Sequence, residues 1–159
     1  MAVLRSSSGR SIGQMSDPIY RREILRLAAN AAGAGRLAQA DGSATLANPA
    51  CGDKVTVDIK LEAGRITALA HHTHACVLAQ ASAAILGADA VGLNRGEMER
   101  LTGAVRGLLS GGKTPPAPFD AYVAFDGLVD HKARHKCVLL PLEAALEAMS
   151  VLELSEPGA

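Results

Sequence analysis

Residues 54–61 alternate in polarity with a regularity that only a few folds can use. Val55, Val57, Ile59 and Leu61 alternate there with Lys54, Thr56, Asp58 and Lys60, the period of a strand with one apolar and one wet face. Ala63-Gly64 follows as a short turn, and residues 65–73 return as the partner strand of a hairpin. A short strand over 44–47 supplies a third member. Two-period patterning that stops at a cysteine and gives way to small, helix-forming residues predicts a sheet with helices laid against it, an α+β arrangement.

The helices can be placed from their punctuation. Asp17-Pro18 reads as an N-cap acceptor followed by a proline whose missing N–H costs nothing there. Behind it Tyr20, Ile24, Leu27, Ala28 and Ala31 recur at helical spacing until Gly33 and Gly35. After Cys76 the run VLAQASAAILG predicts a second helix closed by Gly87. Asn94 and Glu97 form a capping box ahead of Met98, Leu101, Val105 and Leu108, with Ser110-Gly111-Gly112 as the stop. Residues 115–118 (PPAP) read as an extended linker. A short helical segment is expected near 119–128. The last helix is expected to open around Cys137, with Pro141 in its first turn and Leu142, Leu146 and Met149 on its apolar stripe. The expected architecture is therefore a three-stranded antiparallel sheet with helices packed on one face, in one domain over 17–154. Residues 1–16, Ser-rich with Arg5 and Arg10 and no acid, are expected to be a disordered extension.

Composition narrows the function. Sixteen Lys+Arg balance sixteen Asp+Glu in 159 residues, so the basic excess that phosphate backbones require is missing and the charge balance disfavours a nucleic-acid partner. Two Tyr, two Phe and no Trp leave little for stacking on bases. No apolar run reaches membrane-spanning length. Three cysteines are poor material for a disulfide framework, which argues for a reducing, cytoplasmic compartment and for another use of the thiols.

Each cysteine falls at a junction of expected elements. Cys51 lies in the loop NPACGD at 48–53, and Cys76 and Cys137 each open an expected helix, where N–H groups and the helix dipole favour a thiolate. In Cys51-Gly52-Asp53 the glycine permits the tight backbone that lets both flanking side chains face one ion. Three thiolates and a carboxylate make a tetrahedral set for Zn²⁺, or an incomplete thiolate set for an iron–sulfur cluster. The bland alternative is three unrelated thiols and a turn aspartate. All five histidines stand just upstream of a cysteine: His71, His72 and His74 before Cys76, His131 and His135 before Cys137. Such imidazoles are either further ligands and modulators of the thiols or a solvated strand end and loop.

These residues resemble a known family. NPACGD at 48–53 is similar to the NPxCGD signature of the IscU/SufU/NifU N-terminal iron–sulfur scaffolds, and AxASAAI at 79–85 to the block after the family's second cysteine. ARHKC at 133–137 resembles its third-cysteine motif, and DPIYRR at 17–22 its opening helix. The resemblance spans roughly 17–152. It is closest to the SufU branch: Cys76 and Cys137 stand 61 positions apart, Lys136 precedes the third cysteine where the IscU branch has His, and 129–133 reads VDHKA instead of a chaperone-docking motif. It departs from the family at THAC (73–76), where Gly-x-Gly-Cys is usual, and at Leu142, where an aromatic is usual.

The resemblance implies a SufE/NifU-like fold with Cys51, Asp53, Cys76 and Cys137 as the ligand set. It implies a scaffold that accepts sulfur from a cysteine desulfurase of the SufS/IscS kind, binds iron or a [2Fe–2S] cluster transiently, and passes it to apo iron–sulfur acceptor proteins. In SufU-like members the same set typically holds zinc, so a zinc-dependent sulfurtransferase partner that assembles no cluster is the alternative. Cys137 is the implied persulfide acceptor, with Arg134 and Lys136 supplying cations beside it.

Overall fold

The computed structural model describes residue 19 and residues 21–155, without the side chains of 151–155. The expected extension at 1–16, the Asp17-Pro18 cap and Tyr20 lie outside the described residues. The first helix, α1, is Arg22–Asn30, and it buries Ile24 and Leu27. Three antiparallel strands follow, β1 (Gly42–Asn48), β2 (Asp53–Glu62) and β3 (Arg65–His74), in the order β1-β2-β3. Helices α2 (Val77–Asp89) and α3 (Arg95–Leu109), a 3-10 helix (Phe119–Leu128) and the long α4 (Lys132–Ser155) complete the order.

The alternating strand does what its period dictates. Val55, Val57 and Ile59 are fully buried, paired across the sheet with Leu46 and Ala44 of β1 and with Thr73, His71 and Leu69 of β3. On this face α4 packs against β1 and β2, and α2 packs against β3. The Ala63-Gly64 turn has both residues at positive φ, 55° and 78°, the twist that suits a two-residue hairpin.

The opposite face is drier than the alternation predicts. Thr56 and Asp58 are buried. Asp58 accepts a forked pair of bonds from Arg36 (2.6 and 3.1 Å), the Leu37 N–H (3.0 Å) and the Ser43 hydroxyl (2.6 Å). Burial pushes its carboxyl up, but those bonds outweigh it and hold it below the ordinary carboxylate range. A charged residue on a strand is thus covered by the loop ahead of β1.

Two expected boundaries are corrected. Gly87 lies inside α2, and what needs a glycine there is close packing. A Cβ on Gly87 would stand 2.2 Å from the Ala32 carbonyl oxygen, so the backbones of α2 and the segment after α1 touch directly. The last helix opens at Lys132, not near Cys137, and Pro141 sits well inside it. Proline there has no N–H to give the carbonyl four residues back, which belongs to Cys137. The capping box at Asn94 and Glu97 forms as expected, with both reciprocal bonds present.

The helices carrying Cys76 and Cys137 are tied in the core. The Ser82 hydroxyl on α2 donates to the Val138 carbonyl on α4 at 2.6 Å, and the buried Tyr122 hydroxyl lies 3.1 Å from Ser82 Oγ. No helix among the described residues is long and apolar enough to cross a membrane.

Candidate metal centre

The β1–β2 connection places two of the site residues. The Asn48 carbonyl accepts from the N–H groups of Cys51 and Gly52 (3.2 and 2.9 Å), while its side-chain oxygen accepts from Ala50 N–H (3.2 Å). Gly52 has φ +74°, a conformation that favours glycine, and it turns the chain so that Asp53 re-enters the sheet opposite Asn48. Cys51 is exposed on the loop while Asp53 is only 3% exposed. Cys76 is the N-cap residue of α2, and Cys137 projects from the second turn of α4, 1% exposed.

These four converge. Sγ of Cys51 and Sγ of Cys137 are 3.9 Å apart, and one ligand atom each from Cys51, Asp53 and Cys137 lie within 4.8 Å of one another. Cys76 adjoins them: its N–H donates to Asp53 Oδ1 at 2.9 Å, and its thiol interacts with Cys137 and Asp53. The other carboxylate oxygen, Asp53 Oδ2, is buried with no hydrogen-bond partner.

The electrostatics follow from this crowding. Burial pushes the Asp53 carboxyl up, yet the neighbouring Cys76 thiol, the Cys76 N–H and then the nearby Cys51 and Cys137 thiols hold it below the usual range. Cys76 is pulled below the ordinary thiol range, first by the hydrogen bond from the Cys137 thiol, against burial, with the Ala79 N–H of the first helical turn assisting. Cys137 moves the opposite way, raised by that same bond to Cys76, by burial and by the neighbouring charges of Cys76 and Asp53. The two thiols therefore move apart, Cys76 toward the thiolate and Cys137 away from it. Cys76 stands at a helix N-terminus as expected, where the Ala79 N–H adds to the larger effect of the Cys137 thiol, whereas the helix bearing Cys137 begins five residues earlier.

The donor set suits a thiophilic cation. Two thiolates on one tetrahedral zinc, each about 2.3 Å from it, stand about 3.8 Å apart, close to the observed Cys51–Cys137 separation. An ionised, buried, unpartnered carboxylate oxygen is costly without a proton or a cation to answer it.

The histidines divide. His71 is a satisfied core residue: Nε2 lies 2.9 Å from the Ala32 carbonyl and Nδ1 2.9 Å from Thr73 Oγ1. Its burial pushes its pKa down. His74 is exposed and lines an open cleft of about 400 Å³ with Cys51, Gly52, Asp53, Cys76 and Gln80. His135 bonds the Leu128 carbonyl at 2.6 Å, and His72 and His131 are exposed. No histidine joins the ligand cluster among the described residues. Arg134 and Lys136 are exposed on the first turns of α4. Gln80, which sequence reasoning passed over, borders the cleft and donates to the Ala75 carbonyl at 2.8 Å.

The family model described as the NifU-like N terminal domain matches residues 19–137. The chain belongs to the NifU-like N-terminal domain family. Two Archaeoglobus fulgidus proteins, iron-sulfur cluster assembly scaffold proteins IscU 1 and IscU 2, are each 28% identical to it over 148 residues, covering 88% of this chain and 97% of theirs. The crystal structure of a NifU-like protein (N-terminal) from Brucella abortus superposes with a TM-score of 0.83 at 33% identity, covering 89% of this chain and 99% of that one. A Fervidobacterium islandicum protein described as an iron-sulfur cluster assembly scaffold for the SUF system shares the fold at TM-score 0.76 and 22% identity, over 84% of this chain and 98% of that one. This NifU-like domain is thus a member of an iron–sulfur cluster assembly scaffold family, with the three-stranded antiparallel sheet and helices of its structural neighbours.

Proposed function

We propose that this NifU-like domain accepts sulfur from a cysteine desulfurase and holds iron or a [2Fe–2S] cluster between Cys51, Asp53, Cys76 and Cys137 until an apo-acceptor takes it. The observation that carries this reading is the 3.9 Å approach of Cys51 and Cys137 beside the buried, unpartnered Asp53 Oδ2. The cargo is the substrate here, and the carboxylate is its hardest and most exchangeable ligand. Its release is therefore assigned to Asp53.

In the sulfur step, Cys137 passes its thiol proton to the adjacent Cys76 thiolate, and the Cys137 sulfur so freed attacks the terminal sulfur of the desulfurase persulfide. A new S–S bond forms on Cys137 Sγ, the donor's S–S bond breaks, and its electron pair leaves on the donor cysteine as a thiolate. Arg134 and Lys136, three and one residues ahead, offer positive charge to the incoming anion. Because Cys137 is almost fully buried, the exposed Cys51 loop must swing aside to admit the donor.

The second reading is a zinc-dependent sulfurtransferase partner of the SufU kind. The spacing of Cys76 and Cys137, Lys136, and a ligand cluster tight enough for one mononuclear ion favour it. Metal analysis of the purified protein, followed by anaerobic reconstitution with desulfurase, cysteine and iron, separates the two. Charge-transfer bands in the visible and transfer of the chromophore to an apo-acceptor support the scaffold. A colourless protein that keeps one stoichiometric zinc and gains persulfide supports the sulfurtransferase.

A further inference from the structure

The peptide unit between Ala75 and Cys76 is held at both ends. Its N–H donates to Asp53 Oδ1 at 2.9 Å, and its carbonyl accepts from Gln80 Nε2 at 2.8 Å. Gln80 also donates its own backbone N–H to the Cys76 carbonyl at 3.0 Å, so this one residue grips two successive peptides. The Ala75 carbonyl precedes the N-cap, so no helical N–H is in position to bond it. The segment Thr73-His74-Ala75 contains no glycine, and a side chain reaching back from the first turn of α2 fixes the peptide's orientation instead.

A peptide is planar, so fixing the carbonyl fixes the direction of the N–H on its other side. That N–H occupies Oδ1 of Asp53, and Oδ2 is the oxygen left buried and unpartnered beside the thiols. We propose that Gln80 is a positioning residue for the metal centre: by anchoring the Ala75 carbonyl it keeps the Cys76 N–H on Asp53 Oδ1 and reserves Oδ2 for the cation. Gln80 touches no cargo atom in this account and acts only through Asp53. The proposal rests on the reading that these groups hold a metal. Hydrogen bonds one step removed from a metal commonly change affinity by about 10–100-fold.

The test is a double-mutant cycle on metal binding in the full chain, using Co²⁺ and Zn²⁺ alone as probes under anaerobic, reducing conditions. Gln80→Met keeps the length of the side chain and deletes the donor. It is expected to weaken Co²⁺ binding by about tenfold and to shift the cobalt ligand-field bands in the direction that Asp53→Ala shifts them. In the Asp53→Ala background the same change is expected to add less than twofold. Gln80→Asn retains an amide that is too short to reach Ala75, and it carries the same test should the methionine variant not fold. Full additivity with Asp53→Ala, or affinity and spectrum both like wild type, overturns the role of Gln80 while leaving the metal centre standing. Failure of the wild type to bind either ion overturns the metal centre itself and this inference with it.

Discussion

The Cys76 N–H donates to Asp53 Oδ1 at 2.9 Å, while Asp53 Oδ2 stays buried without a partner. Asp53 thus ties the start of α2 to the sheet with one oxygen, and the other is the one proposed to face a cation. Asp53→Ala is expected to slow transfer of a reconstituted cluster to an apo-acceptor by about tenfold or more while leaving the three thiolates to bind it. Transfer kinetics followed by visible circular dichroism check this, and an unchanged rate would remove Asp53 from the release step.

The three thiols are expected to be alkylated in a fixed order in the metal-free protein. Reactivity requires both thiolate and access. Cys76 has a lowered pKa and partial exposure, Cys51 is exposed, and Cys137 is buried with a raised pKa. Iodoacetamide at neutral pH, quenched and read by peptide mass spectrometry, should label Cys76 and Cys51 well before Cys137. Early labelling of Cys137 would contradict the charge distribution described here.

His71 sets a pH dependence of stability. Burial lowers its folded pKa below the free imidazole's 6.5, so above 6.5 the ring is neutral in both states and costs nothing. As pH falls through 6.5 towards the folded pKa, the unfolded chain binds a proton that the folded one resists, and stability is lost. Asp53 and Asp58, lowered from 3.8, add their losses only as pH falls below about 4. Urea unfolding at pH 7.5 and 5.5 should show a drop in wild type that His71→Gln reduces. Equal drops in both proteins would assign the slope elsewhere.

Gly87→Ala is expected to destabilise the fold by about 1–3 kcal/mol, because a Cβ 2.2 Å from the Ala32 carbonyl forces two backbones apart. The contact lies away from the ligand cluster, so metal stoichiometry should stay at the wild-type value. A thermal midpoint within a degree of wild type would show that the segment after α1 yields freely.

The sheet was legible because Val55, Val57 and Ile59 follow a period that only a half-buried strand satisfies, and the hairpin needed only Ala63-Gly64. The burial of Asp58 was not, since Arg36, Leu37 and Ser43 reach it through a loop whose path has no sequence period. The start of α4 was missed for a related reason: KARHK carries no apolar stripe, and Pro141 marks a helix start more often than a helix interior. The run of histidines before Cys76 looked like ligands, yet the register that puts Val57 in the core also carries His71 there. The closeness of Cys51, Asp53 and Cys137, with Cys76 adjoining, was legible in NPACGD and the two later cysteines. The bond from Gln80 to Ala75 was not, because an i, i+5 grip across an N-cap leaves no pattern in composition or spacing.

Cys51, Asp53, Cys76 and Cys137 are proposed to form one cation site. Anaerobic Co²⁺ titration of the full chain tests it most directly, with each of the four residues replaced in turn by Ser or Ala. One equivalent is expected to bind with intense tetrahedral ligand-field bands and thiolate charge transfer, the latter reduced by each cysteine substitution and the former shifted by Asp53→Ala. Weak octahedral bands in wild type, or cysteine variants that bind with the wild-type spectrum, would contradict it.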